Sequence, residues 1–313
     1  MRLFLLAILI LCTGCLSFHQ GSFPDEPDDL FMQVSDTRVR YVDVGEGPAV
    51  VLLHGFAASL NTWDDVIPEL AKNHRVLALD LRGFGYTDRP ETADYSPQAQ
   101  ADLVFQVMNE RGIDQVSLVA HSWGSSVALA MAMEDPVRIR RLALYDAWVY
   151  EEQLPTFFLW SRASGIGEAL FSLFYKERPG DKIELAFYDR SYVTQALVDE
   201  TREALHRPGA VAAALKAVRG QRYEEVEDQY STINHPTLIM WGREDGVTRL
   251  SAGERLARDL PNAELVVFAQ CGHFPMIEAK EASTRRLVDF LAPDLETESQ
   301  ASENQRADSG GLR

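Results

Sequence analysis

The sequence is poor in cysteine, in positive charge and in long apolar runs. Only Cys12, Cys15 and Cys271 occur in 313 residues. No cluster of Cys and His has zinc-ligand spacing, and no P-loop or dinucleotide glycine fingerprint is present. No metal or organic cofactor is therefore expected. Lys and Arg number 30 against 47 Asp and Glu, a formal charge of −17. Nucleic-acid binding and electrostatic adhesion to anionic lipid both need the opposite balance. A membrane-spanning helix needs about 20 consecutive apolar residues, and the leading run, Leu3 to Cys12, has ten. No internal repeat is visible.

What is present is ordinary for a globular chain, with 46% apolar and 25% charged residues. At about 150 residues per domain, the length allows one large domain or two small ones. Such a chain can bury a core without a metal or disulfide staple.

The ends read differently from the body. Met1-Arg2 and the ten apolar residues after it have the form of a secretory leader. The run closes in Leu11-Cys12-Thr13-Gly14-Cys15, which resembles the lipobox of bacterial lipoproteins, although Cys12 stands where that pattern has Leu, Val or Ile. The resemblance implies a signal peptide over 1–14, lipid on Cys15 and a place on a membrane of the bacterial cell envelope. Cys271 is then the only other cysteine of the mature chain. Residues 15–30, with Pro24, Pro27 and four acids between 25 and 29, suit an extended tether. Residues 293–313 suit a disordered tail.

Between these ends, short apolar runs alternate with helical patterns. Strands are expected at Arg38–Val44, Ala49–Leu53, Arg75–Asp80, Val116–Ala120, Arg141–Tyr145, Thr237–Trp241 and Glu264–Phe268. Runs such as Val50-Val51-Leu52-Leu53 mark strands covered on both faces, hence a mostly parallel sheet. Helices are expected at Trp63–Lys72, Pro97–Arg111, Ser125–Glu134, Ala252–Asp259 and Ala279–Leu291. This is the α/β pattern. It breaks over 151–233, where helix-like segments such as Gly167–Tyr175, Thr194–Leu205 and Ala210–Val218 stand without a strand. A helical cap is therefore expected between core segments 31–150 and 234–292.

Chemistry concentrates at Val119-Ala120-His121-Ser122-Trp123-Gly124-Ser125, between a buried strand and a small-residue helix. This is a nucleophile elbow with Ala in place of the first glycine of G-x-S-x-G. The tight turn lifts the serine hydroxyl out of the sheet, and small residues two positions to either side let the turn close. A serine needs a base oriented by a third group. His273, in the loop after the last strand, is best placed of the seven histidines; His54 and His121 adjoin turns and read as structural. Asp245, after Thr237–Trp241, is the expected orienting acid, with Asp146 its rival and Glu244 a weaker neighbour. The oxyanion would be received by the N–H groups of Trp123 and Phe56.

In order, His54–Phe56 (HGF), Asp80–Pro90 (DLRGFGYTDRP), Ala120–Ser125 (AHSWGS), Trp241–Asp245 (WGRED) and Gly272–Pro275 (GHFP) resemble the α/β-hydrolase superfamily over Phe31 to Leu291. The resemblance implies about eight strands with a cap after the sixth, and the triad Ser122, Asp245 and His273. It assigns structural roles to Asp80, Arg82, Gly83, Gly85 and Glu278. Dehalogenases and epoxide hydrolases of this fold carry Asp at the elbow, so Ser122 argues against both. The first expectation is a serine hydrolase that cleaves a carboxylic ester, lactone or thioester of a small, partly apolar substrate through an acyl-enzyme. The alternatives are a carbon–carbon bond hydrolase, an acyltransferase or perhydrolase on the same triad, and a catalytically silent binding protein. Cap aromatics from Phe157 to Tyr192 are expected mostly to pack the cap onto the sheet.

Overall fold

The computed structural model describes residues 30–292. The expected leader, Cys15, the tether through residue 29 and the tail from residue 293 lie outside the described residues. Eight strands form one sheet: β1 Leu30–Val34, β2 Thr37–Val44, β3 Ala49–Leu53, β4 Arg75–Leu79, β5 Val116–His121, β6 Ile139–Tyr145, β7 Thr237–Gly242 and β8 Ala263–Phe268. Their order is β1-β2-β4-β3-β5-β6-β7-β8. β1 and β2 form the antiparallel edge, and all pairings from β4 to β8 are parallel.

The apolar runs are explained by burial from both sides. Val51, Leu53, Leu118, Ala120, Leu144, Ile239 and Trp241 face one core, where α2 (Pro97–Glu110), α3 (Trp123–Glu134) and α9 (Leu250–Asp259) pack. Their neighbours Val50, Leu52, Val119, Tyr145, Leu238 and Met240 face a second core with Trp63, Leu70, Met276 and Leu287. The latter residues come from the 60–70 segment, α10 (Pro275–Glu278) and α11 (Lys280–Leu291). Alternation along each strand thus feeds both cores. Each fully buried Leu or Ile contributes about 1.5–3 kcal/mol relative to exposure.

Three expectations need correction, the first in the cap, where Phe157, Trp160, Phe174, Tyr188 and Tyr192 are exposed rather than packed onto the sheet. β1 was not anticipated, and residue 30, assigned to the tether, is its first residue. The strand is half-exposed and, among the described residues, pairs only with β2. The turn that follows gives Ser35 a φ of 52°, a conformation usually signalled by Gly or Asn. The helix expected at Trp63–Lys72 is instead a 3-10 turn, Leu60–Trp63, and a single turn α1, Ile67–Leu70.

Between β6 and β7 lie five α-helices, α4 Thr156–Ser161, α5 Ile166–Phe174, α6 Pro179–Glu184, α7 Gln195–His206 and α8 Ala210–Gly220, joined by turns. They cover the carboxyl ends of the parallel strands. Trp148, Phe158, Phe171, Val211 and Leu215 form their buried cluster, against which Phe56 and Val247 pack from the sheet side. Polar ties reinforce the contact: Arg207 Nη1 donates to Gly85 O at 2.8 Å, and Asn61 Nδ2 donates to Glu200 Oε1 at 2.9 Å.

Candidate active site

Ser122 stands between β5 and α3 with φ 50° and ψ −122°. A non-glycine residue holds this backbone only where its surroundings force it. Ser122 N–H donates to Tyr145 O at 2.9 Å, and Trp148 N–H donates to Ser122 O at 3.1 Å, so the turn is gripped by the chain leaving β6. Gly124 is required by space. A Cβ there would lie 2.5 Å from His54 O and 2.6 Å from Leu53 O. Gly55 is also confined, though less severely, since its Cβ would lie 3.0 Å from that of Ser122. The His54–Phe56 loop is thereby pressed against the serine. Among the described residues, no hydrogen bond engages the N–H of Phe56 or of Trp123.

Three more sites at the carboxyl ends of strands share this backbone strain. Ala57 after β3, Asp146 after β6 and Gln270 after β8 all have φ between 44° and 58°. The strained positions all lie at the carboxyl end of the parallel sheet.

His273 and Asp245 meet there. His273 Nδ1 lies 2.7 Å from Asp245 Oδ2, which leaves Nε2 as the nitrogen available to a nucleophile. Asp245 follows β7 in a turn where its Oδ1 accepts the N–H groups of Val247 and Thr248 at 2.7 and 3.0 Å. The Thr248 hydroxyl donates to Asp245 Oδ2 at 2.6 Å. Burial pushes the Asp245 carboxyl up, but the charge and ring N–H of His273, with the Thr248 and Val247 donors, outweigh it and hold the group below the usual range. Among the described residues no hydrogen bond joins Ser122 Oγ to His273. Such contacts often tighten only when substrate is bound.

Sequence reasoning did not anticipate the support around this pair. His121 Nε2 donates to the carbonyl of His273 at 2.8 Å, and the two rings lie 4.7 Å apart. Burial, with the neighbouring His273, holds His121 well below the usual imidazole range, so it stays neutral. Thr248 carried no signal of its own beyond its place three residues after Asp245. Asp146, the rival acid, is fully buried. Its Oδ1 accepts Gly242 N–H at 2.9 Å, while its Oδ2 has no partner. Burial and then the charge of Asp245 push the Asp146 carboxyl well above its usual range. The ligand atoms of Asp146, Asp245 and His273 lie within 4.8 Å of one another. The hydrogen bonds that Asp245 accepts from His273 and Thr248 account for much of that closeness without an ion.

The remaining sequence candidates serve as ties. Glu244 accepts the N–H of Cys271 at 3.0 Å. Glu278 accepts Gly272 N–H at 2.7 Å and Asp189 N–H at 2.8 Å, joining the histidine loop to the cap. Asp80 accepts Leu60 and Tyr86 N–H groups at 2.6 and 2.7 Å. His54 Nε2 accepts Leu81 N–H at 2.9 Å, so its Nδ1 carries the proton given to Gly55 O at 2.8 Å.

A doubly covered parallel sheet, a strained serine at a strand-to-helix turn and a buried imidazole–carboxylate pair beyond the later strands define an α/β hydrolase. The chain belongs to that family: the alpha/beta hydrolase fold matches residues 48–280. It is 32% identical to a 2-hydroxymuconate semialdehyde hydrolase of a Pseudomonas species, over 82% of this chain and 90% of that one. It is 31% identical to a 2-hydroxy-6-oxo-2,4-heptadienoate hydrolase of Pseudomonas putida, over 80% and 92%. Among solved structures, a meta-cleavage product hydrolase from Pseudomonas fluorescens aligns with a TM-score of 0.71 and 30% identity, over 83% of this chain and 96% of that one.

Proposed function

We propose that the protein hydrolyses a carbon–carbon bond in a 2-hydroxy-6-oxo-2,4-dienoate, with Ser122, His273 and Asp245 as its triad. What carries this reading is the match, over four-fifths of the chain, to hydrolases named for such substrates. The relatives favour this alternative over the ester hydrolysis that the elbow alone suggested. The chemistry is coherent. A carbon leaving group departs only when its electron pair is delocalised. Moving the 2-hydroxyl proton to C5 gives a 2,6-dioxo-3-enoate. Ser122 Oγ then adds to the C6 carbonyl while His273 Nε2 takes its proton. The new oxyanion faces the N–H groups of Phe56 and Trp123. The C5–C6 bond breaks, its electron pair runs through C3=C4 onto the 2-oxo group, and the product regains a proton as a 2-hydroxydienoate. Water activated by His273 releases the second product as a carboxylic acid. One water is consumed in all.

The test is direct. Purified protein is mixed with 2-hydroxy-6-oxo-2,4-heptadienoate, the conjugated absorbance is followed, and acetate is quantified. Equimolar acetate and 2-hydroxydienoate are expected, with turnover falling by up to about 10⁶-fold in Ser122→Ala. Cleavage of simple esters or lactones with an inert dienoate would restore the ester reading.

The leader supports a second proposal, that Cys15 is acylated and holds the enzyme on a membrane of the bacterial cell envelope. Mass spectrometry of the mature N-terminus tests it; an intact leader with unmodified Cys15 would refute it.

A further inference from the structure

The cap exposes apolar surface on helices α4 and α5. Helix α5 carries one charged residue, Glu168, and that carboxylate is clamped by Arg219 at 2.8 and 2.9 Å. The inner side of α5 buries Gly167 and Phe171. Its outer side presents Ile166, Leu173 and Phe174, and neighbouring α4 presents Phe157 and Trp160; all five are between 43% and 63% exposed. A helix that is apolar on both sides is normally covered on both sides.

Two features of the chain indicate what covers it. The first is the lipoprotein-like leader ending at Cys15. The 15 steps from Cys15 to Leu30 reach at most about 54 Å, comparable with the width of a body whose radius of gyration is about 18 Å. The second is where the chain enters the fold. Leu30 pairs with Tyr41, and Tyr41 pairs with Leu79, the last residue of β4. Entry is therefore level with the strand ends that the cap covers, so the tether can bring the cap to a membrane without wrapping the sheet.

We propose that the α4–α5 face of the cap rests on a lipid bilayer, with its aromatic and aliphatic side chains in the interfacial layer. Trp and Phe on one face of a short helical surface suit that layer. With a formal charge of −17, the attraction must be apolar, so docking should survive high salt. The idea rests on the anchor reading and is independent of the reaction.

Trp160 provides a built-in probe. It is 61% exposed, whereas Trp63, Trp123, Trp148 and Trp241 are buried. Full-length protein is bound to phosphatidylethanolamine–phosphatidylglycerol vesicles whose acyl chains carry bromine. The expected result is a blue shift and quenching of the Trp160 emission, both unchanged at high salt and absent in Trp160→Phe. The double variant Leu173→Gln/Phe174→Gln should keep the wild-type circular dichroism and lose the quenching. Trp160 left unquenched while the protein floats with the vesicles would overturn the proposal, as would a chain that stays in solution. Shielding of Trp160 that grows with protein concentration without lipid would assign the face to a second copy instead. Dienoate turnover in lipid-free buffer is read alongside, and its absence would count against the reaction alone.

Discussion

At Asp146 a carboxyl group sits without solvent beside the carboxylate of Asp245, and only one of its oxygens is bonded. It binds its proton more tightly folded than unfolded. Stability therefore falls as pH rises above the unfolded value of about 3.9, until the raised folded value is passed. Asparagine preserves the bond from Gly242 and tolerates a positive φ, but cannot ionise. Asp146→Asn is expected to melt a few degrees above wild type at pH 7, with the gain vanishing below about pH 4; paired thermal melts across pH check this. Asp245→Asn should behave oppositely at the level of rate. It leaves the ring in place but disturbs its tautomer, and turnover should fall on the order of 10⁴-fold. The two substitutions separate the orienting acid from its neutral neighbour. From the sequence alone both acids were candidates, because each follows a strand. What distinguishes them is tertiary: Asp245 reaches His273, 28 residues away, while Asp146 reaches Gly242, 96 residues away.

The β5–Ser122–α3 unit shows how local sequence and long-range packing divide the work. The strand, the small residues around the serine and the helix were legible because they are contiguous. The reason for Gly124 was not, since the atoms that exclude a side chain there belong to Leu53 and His54. Gly124→Ala should push the His54–Phe56 loop away from Ser122. It is expected to cost about 1–3 kcal/mol of stability, as overpacking does, and to lower turnover in the material that remains folded. Thermal denaturation and initial rates on the same preparation test both. Edge strand β1 was missed for the converse reason. With one neighbour among the described residues and a half-exposed surface, it carries little apolar signal, and its turn lacks the expected glycine.

For the molecule as a whole, the sheet and its two cores form one buried body into which the histidine loop is sealed. Cys271 is fully buried there, and burial pushes its thiol well above the usual range. Alkylation at Cys271, followed by mass spectrometry, should be negligible in native buffer and should appear only with global unfolding in denaturant. Ready modification under native conditions would show that the loop opens on its own. The α/β class and the helical insertion could be read from alternation and its interruption, because those patterns record burial directly. How the cap closes over Ser122 could not, because Glu278 to Asp189 and Arg207 to Gly85 are contacts between distant segments. β6 and β7 are parallel hydrogen-bonded neighbours, so the long excursion between them departs at the carboxyl end of β6 and returns at the amino end of β7. Within it the segments that flank the helices come back together, Tyr230 Oη donating to Val149 O at 2.7 Å, and the sheet asks of the intervening helices only that these two segments meet. A graft of different helices at the same two points would leave the nucleophile's scaffold intact while changing which molecules are admitted to it, making this junction a natural port for exchanging selectivity.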